Sequence, residues 1–357
     1  MSAPEATGQI DHRTFFERPD VFPLEFGSRH LDLVPMTADS YRRSIFTDRG
    51  RIVGAARTGW RLDTAEVLAE FEHSGGRQYP VCYVFHIAHC GSTLLARALD
   101  IPERTLVIRE PFVLRQLGGA AASEGDDKPN PSFWHRCLRL TAGLLGRRYA
   151  AEQPVIVKAN VPVNFIIDEL MALHEGSTGI LLYAGVDDYV PAVLKTPRHR
   201  RWVRNVTGEL AGGIHATQGL GDVRIDKLSD AQAAACLWLA QMRRFEYSLA
   251  HRESLRSLDC EELFSRPREV LSAALEFSSA RVGQARVAEI ASGDLFSRHA
   301  KDPSRPYDRD RRLRDMQRLS KQMAGEIEEA RAWIQTNGVG SDLKLPLSQP
   351  LVEPKPA

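Results

Sequence analysis

Short apolar runs alternate with longer amphipathic stretches between residue 80 and about residue 277. Most of these runs are apolar throughout, the pattern of strands covered on both faces in a parallel sheet. They predict strands at Val81–Ile87, Thr105–Ile108, Val155–Lys158, Gly179–Tyr183 and Leu255–Asp259. Helices are predicted between and after them at Thr93–Leu99, Pro131–Tyr149, Pro162–His174, Asp230–Arg252 and Pro267–Phe277. The pattern therefore predicts an α/β fold of three layers, an open parallel sheet with helices on both faces.

The first 79 residues lack this regularity. Short alternating runs at His30–Val34 and Arg51–Gly54 predict small strands, and Thr64–Glu72 predicts a helix after an Asp/Thr cap. We interpret residues 1–79 as a small mixed extension packed on the main fold.

The main domain is expected to span residues 80–340. Near its end, Asp308–Gln335 predicts one long, highly charged helix. The proline-rich residues 341–357 are expected to form a loose tail.

The composition narrows the class of protein. The 357 residues are 43% hydrophobic and 26% charged, and 47 Lys and Arg against 46 Asp and Glu give a net charge of +1. This balance argues against chain-wide binding of nucleic acid but leaves room for a local anion site. No signal peptide and no run of roughly 20 apolar residues is visible. Five widely spaced cysteines argue against a disulfide framework, so we expect a cytoplasmic protein.

The most informative segment follows the first predicted parallel strand. There the strand runs into a turn with one glycine, two hydroxyl residues and an amphipathic helix. Backbone N–H groups at such a turn can hold a phosphate, and glycine allows its close approach. The candidate anion-binding residues are His89, Cys90, Gly91, Ser92, Thr93 and Leu94. The alternative is a capped helix that binds no ligand.

This turn differs from the loop of nucleoside-triphosphate enzymes. Aligned on Gly91–Thr93, His86 takes the place of the first glycine and Ser92 that of the lysine. This difference argues against an ATP-dependent, kinase-like phosphotransferase, which stays as an alternative function. A non-catalytic nucleotide-binding module is a further alternative.

The segment His89–Leu95 resembles the 5′-phosphosulfate-binding loop of sulfotransferases that use 3′-phosphoadenylyl sulfate (PAPS). Weaker resemblances follow in order at Arg109–Phe112, Cys236–Phe245, Ser257–Pro267 and His299–Tyr307. The resemblance covers roughly residues 80–310. It implies a P-loop nucleotide-binding fold and transfer of a sulfuryl group from PAPS to a hydroxyl or amine, with no metal required.

Three residues are candidates for catalysis. Glu110 follows a buried strand, so it is expected at the sheet edge where ligands bind, as a general base. His89 stands where the family has Lys or Arg and would stabilise the leaving phosphate. Lys158 ends the third strand and could meet a sulfate or phosphate oxygen, with Asn160 a weaker candidate. The alternatives are a surface Glu110 paired with a neighbouring arginine and a strand-end lysine without a ligand.

A basic run, Lys195–Arg204, has five Lys or Arg residues in ten positions and no acid. It follows the fourth strand, where the family binds the 3′-phosphate, but the family's usual Arg and Ser pair is absent. Arginine grips phosphate with two hydrogen bonds, so residues of this run are candidates, unless the run is a solvated helix face. The candidates are Arg198 and Arg201, then Arg200 and Arg204, with Lys301 and Arg305 from the last loop.

The spacing of Cys82, His86, His89 and Cys90 matches no zinc motif, so we predict no metal site there. The acceptor is expected to be a small molecule, or a hydroxyl of a glycan or lipid. The N-terminal extension and Gly118–Pro131 are expected to shape its pocket. The oligomeric state stays open.

Overall fold

The computed structural model describes residues 12–53, 59–125, 128–300, 302–337 and 343–353. The N-terminal extension contributes α1 (His12–Glu17), β1 (Val21–Phe26), β2 (His30–Pro35), α2 (Ala38–Arg43), β3 (Trp60–Asp63) and α3 (Thr64–His73). The first half of the main domain contains β4 (Val81–His86), α4 (Ser92–Ala98), β5 (Leu106–Arg109), α5 (Phe112–Ala121), α6 (Pro131–Leu145), β6 (Val155–Lys158) and α7 (Ile167–Met171). The second half contains β7 (Thr178–Tyr183), α8 (Val186–Leu194), α9 (Pro197–Glu209), α10 (Ala211–His215), α11 (Asp230–His251), β8 (Leu255–Asp259), α12 (Cys260–Ser265), α13 (Pro267–Phe277), α14 (Gln284–Ser292), β9 (Arg298–His299), β10 (Asp302–Pro306), α15 (Arg309–Gln322) and α16 (Ala324–Asn337).

Strands β4 to β8 form one parallel sheet in the order β5-β6-β4-β7-β8, flanked by helices. All six residues of β4 and all four of β5 and of β6 are buried. Residues covered on both faces need no polar alternation, which is why the apolar runs predicted these strands. The predicted α/β class with a parallel sheet is confirmed.

The order of the strands creates a crevice beside β4. From β4 the chain goes to β5 and β6 on one side, and only then to β7 and β8 on the other. The connection after β4 thus runs to one side of the sheet and the connection after β6 runs to the other. Ligands of open α/β sheets bind at the carboxyl ends of the strands where such connections separate.

The N-terminal extension is an antiparallel sheet of β1, β2 and β3. Helix α3 and strand β2 confirm two of its predicted elements. The strand predicted at Arg51–Gly54 is wrong for residues 51–53, which form a turn; Gly54 lies outside the described residues. In this turn the N–H of Arg51 donates to the carbonyl of Asp48 (3.1 Å), and the Arg51 side chain pairs with the Asp48 carboxylate.

The C-terminal region departs from two expectations. The single helix predicted over Asp308–Gln335 is divided at the buried Met323, which ends α15; α16 then begins at Ala324 and packs on α8 and α11. The tail is not loose where it is described. Ser257 of β8 donates to the carbonyl of Gln349 (2.9 Å) and accepts from Leu351 (2.8 Å), and Leu347 is buried. Among the described residues, no helix has the length and apolar character needed to span a bilayer.

The carboxylate of Asp32, on β2, is buried and bonded to two arginines of the N-terminal extension. Asp32 is 1% exposed and accepts hydrogen bonds from Arg61 (2.7 and 3.0 Å) and Arg49 (2.6 Å). Burial raises the pKa of Asp32, but the hydrogen bonds from the two arginines outweigh burial and the pKa lies below its usual value.

We expect D32N to lower the free energy of unfolding at pH 7 by about 2 kcal/mol, since it weakens charge-assisted bonds. A carboxylate with a lowered folded-state pKa stabilises above its unfolded pKa, and this stabilisation is lost as pH falls through the folded value. Urea unfolding at pH 7 and at stepwise lower pH measures the difference. D39N, at an exposed carboxylate, is the control. An equal loss at every pH would contradict the prediction.

Candidate functional site

A cavity of about 680 Å³ opens at the carboxyl ends of β4, β5 and β6. Its walls come from four places: the loop after β4, the segments after β5 and β6, helix α9 and the N-terminal extension. The lining residues include Ala88, His89, Ser92, Thr93, Glu110, Asn160, Arg198, His199 and Trp202. The sheet edge predicted as the ligand site therefore carries a real cavity.

The loop after β4 has an unusual backbone. Ala88, His89 and Gly91 have φ angles of 74°, 54° and 85°. Left-handed non-glycine residues are costly, about 1 kcal/mol or more each, and such turns build anion-binding nests of N–H groups. A Cβ atom on Gly91 would lie 3.0 Å from Cζ of Phe264 on α12. The positive φ thus favours glycine here, and a side chain would also lie tightly against Phe264.

Side chains of this loop divide between the cavity and the core. Ser92 and Thr93 line the cavity. The exposed His89 ring packs on His199 (4.9 Å between centroids) and edge-on to Trp202 (5.9 Å).

Cys90 and Leu94 point elsewhere. The Cys90 thiol is buried, lies 3.6 Å from the carbonyl oxygen of Leu182, and burial raises its pKa to about 12. Leu94 is a core residue of α4. Neither residue is among those lining the cavity, so any part they play in binding is through the backbone.

Glu110 is held at the edge of the sheet by three neighbouring strands. It has a positive φ of 52°, and its N–H donates to the carbonyl of Lys158 (2.7 Å). Its carboxylate accepts from Lys158 Nζ and from Asn160 Nδ2 (3.3 Å), and lies 3.9 Å from His86 Nε2. The alternative of pairing with a neighbouring arginine is wrong, since Arg109 pairs with Asp100 and Arg115 with Glu209.

Lys158 supports Glu110 and does not line the cavity. Its side chain is 1% exposed, and Nζ lies 5.2 Å from the centroid of the Phe46 ring. Lys158 therefore meets the Glu110 carboxylate and not the cavity, and its predicted contact with a ligand oxygen stays a prediction.

The basic run forms part of α9, and its arginines point in different directions. Arg198 is exposed and lines the cavity. Arg200 pairs with Asp230 and Glu326, and Arg204 with Asp230. Arg201 is exposed but is not among the lining residues. The acidic partners of Arg200 and Arg204 therefore come from α11 and α16.

The last loop contributes less to this cavity. Arg305, on β10, is exposed and is not among the lining residues, and Lys301 lies outside the described residues. The roles assigned to these two residues and to Arg201 stay predictions.

The N-terminal extension supplies a wall that the sequence patterns missed in detail. Glu25, Phe46, Asp48, Arg49 and Arg51 all line the cavity. None belongs to a recognisable motif, although an Arg-Gly-Arg turn is a visible basic signal. The expectation that Gly118–Pro131 shapes the pocket is not supported, because no described residue of that segment is among the lining residues.

Metal ligands are not grouped in the described parts of the chain: no cluster of three or more His, Cys, Asp or Glu side chains could hold an ion there. Cys82 is buried inside β4, and burial raises the pKa of its thiol to about 11.

No model of a known protein family matches the sequence, and no curated protein matches it. Solved structures similar to this chain include three sulfotransferases, the class that the sequence resembles. The sulfotransferase domain of the curacin biosynthetic pathway is 13% identical over 72% of this chain and 98% of its own, with a TM-score of 0.38. The sulfotransferase of Alicyclobacillus acidocaldarius is 13% identical over 72% and 97%, with a TM-score of 0.35. Sulfotransferase STF1 of Mycobacterium tuberculosis is 14% identical over 71% and 79%, with a TM-score of 0.37.

We expect G91A to destabilise the protein by roughly 1–2 kcal/mol, because alanine resists a positive φ, and to weaken anion binding at the loop. G283A is the matched control, since that glycine has a φ of −70° and open space around it. Thermal unfolding with and without added sulfate measures both effects. Equal behaviour of the two variants would contradict the role given to the loop.

Proposed function

We propose that this protein transfers a sulfuryl group from PAPS to a hydroxyl or amine acceptor. The observation that carries this proposal is that Glu110 and residues 88, 89, 92 and 93 of the loop line one cavity, at the carboxyl ends of β5 and β4, which lie on either side of β6. An anion-binding loop facing a held carboxylate is what transfer of an anionic group to a hydroxyl requires.

The groups around the loop suit an anionic nucleotide donor. Ser92 and Thr93 offer hydroxyl donors, and His89 stands beside them at the mouth of the cavity. Arg198 can hold a phosphate, with the aromatic face of Trp202 nearby for a base. We propose His89, Arg198 and the loop backbone as the donor site.

Transfer to a hydroxyl releases a proton, and a general base must accept it. When bound, PAPS supplies a sulfuryl group on a phosphate leaving group: the acceptor oxygen forms a bond to sulfur as the bond from sulfur to the bridging oxygen breaks, and that oxygen keeps the electron pair. Glu110 takes the proton that the acceptor hydroxyl loses. We propose Glu110 as general base, with Lys158, Asn160 and His86 as positioning residues for its carboxylate.

The N-terminal extension is the proposed acceptor side of the cavity. Phe46 of the extension and Phe112 of α5 offer aromatic surface, while Arg49 and Arg51 of the extension and Arg115 of α5 offer hydrogen-bond donors. These arginines are paired with Glu25, Asp48 and Glu209 respectively. Such a wall suits a small molecule or the hydroxyl of a glycan or lipid.

The donor can be tested with a panel of ligands. We expect 3′,5′-adenosine bisphosphate (PAP) at 100 times its dissociation constant to raise the melting temperature by about 3 °C or more, because a ligand of the native state stabilises it. ATP with Mg²⁺ and sulfate alone are the comparison arms. A shift with ATP and Mg²⁺ but none with PAP would favour a phosphotransferase and overturn the proposal.

We expect E110Q to lower the rate of transfer roughly 10²- to 10⁴-fold, as loss of a general base does, while the affinity for PAP changes little. Transfer from radiolabelled PAPS to a phenol, a neutral sugar and a long-chain alcohol, and slow transfer to water, provide the rates. E103Q, at an exposed glutamate away from the cavity, is the control. An unchanged rate in E110Q would remove Glu110 as base; binding of PAP without any wild-type turnover would indicate a non-catalytic module.

A further inference from the structure

The residue before Glu110 is an arginine buried outside the cavity. Arg109 is 2% exposed and pairs with Asp100 (3.2 Å). Its guanidinium donates to three carbonyl oxygens of the N-terminal extension, those of Tyr41 (2.7 Å), Arg42 (2.6 Å) and Ser44 (2.9 Å). These carbonyls lie at the end of α2, where a helix leaves its last acceptors without partners in the helix. One side chain therefore fastens the end of α2 to β5.

The N-terminal extension also donates hydrogen bonds to the backbone of Arg109. The Arg109 carbonyl accepts from the N–H (2.7 Å) and the hydroxyl (3.0 Å) of Thr47, which is fully buried. Both the side chain and the carbonyl of Arg109 are thus bonded to residues 41–47. The next residue is Glu110, whose positive φ must be maintained by the bonds on either side of it.

The segment fastened by Arg109 leads directly into the cavity wall. Phe46 lies between two cations: its ring centroid is 5.2 Å from Lys158 Nζ and 4.3 Å from the Arg51 guanidinium carbon. Residues 46 and 48–51 line the cavity opposite the loop after β4. A shift of α2 along β5 would therefore move this wall and the support of Lys158 together.

We propose that Arg109 is a positioning residue that fixes the extension, over residues 41–51, in register with the Glu110 carboxylate. The inference rests on the proposed function, because it makes the extension one wall of the reacting site. Arginine is needed because its planar fork reaches several acceptors at once, whereas a lysine ammonium is a point charge.

A second buried arginine provides a matched control. Arg147 is 0% exposed and also donates to carbonyls of the extension, those of Phe15 and Val21. It is not among the residues that line the cavity. If both arginines only stabilise the fold, substitutions at Arg109 and at Arg147 should have the same kind of effect.

The test compares R109K, T47V and R147K. Kinetics with PAPS, the dissociation constant for PAP, melting temperature and hydrogen exchange are measured for each variant. We expect R109K to lower kcat by about 10- to 100-fold, since small misplacement of a catalytic group has such effects, with PAP affinity within about twofold of wild type. Exchange should rise in residues 41–53. T47V should also lower kcat and raise exchange in residues 41–53, but by smaller amounts than R109K.

We expect R147K to lower the melting temperature and to raise exchange near residues 15–21, while kcat stays within about twofold of wild type. The inference is overturned if kcat in R109K and R147K falls alike in proportion to the loss of melting temperature, or if exchange in residues 41–53 rises without a change in kcat. Wild-type protein that neither binds PAP nor turns over PAPS would instead overturn the proposed function, and with it the role of Arg109 in catalysis.

Discussion

A lysine ammonium buried at the carboxyl edge of the parallel sheet dictates the arrangement of the groups around it. Lys158 ends β6 between β5 and β4 with 1% of its side chain exposed, so its charge needs a partner within reach. That partner is Glu110. Removing one member of a buried ion pair leaves an uncompensated charge, at a cost of about 3–5 kcal/mol. Position and orientation of the carboxylate are thus enforced by the stability of the fold itself.

The same constraint explains why the N-terminal extension is part of the site. The Phe46 ring covers the Lys158 ammonium, and Arg109 and Thr47 hold that segment on β5. The cavity is closed on one side by the sheet edge and on the other by this extension and α9. A change in the extension would therefore alter both this wall of the cavity and the support of Lys158.

Prediction from sequence succeeded where burial is dense. All five parallel strands were predicted, most of them because strands covered on both faces are apolar throughout. The turn at Arg51 was not predicted, although its bonds to Asp48 are local. The division of the C-terminal helix at Met323 was not predicted because it depends on the packing of α16 against α8 and α11. The proline-rich tail gave no sign of ordering, because its partner is the backbone of Ser257 at the edge strand β8.

The sequence by itself determined the parallel sheet, the glycine-hydroxyl turn at Gly91 and the place of Glu110 after β5, because these follow from local pattern and strand direction. Only the tertiary structure decided that Lys158 holds Glu110, that Arg200 and Arg204 are paired with acids while Arg198 lines the cavity, and that residues 46–51 close the site. Each of those outcomes depends on which charges meet across the fold. Burial forces a charge such as that of Lys158 to find a partner, but the sequence does not say which one.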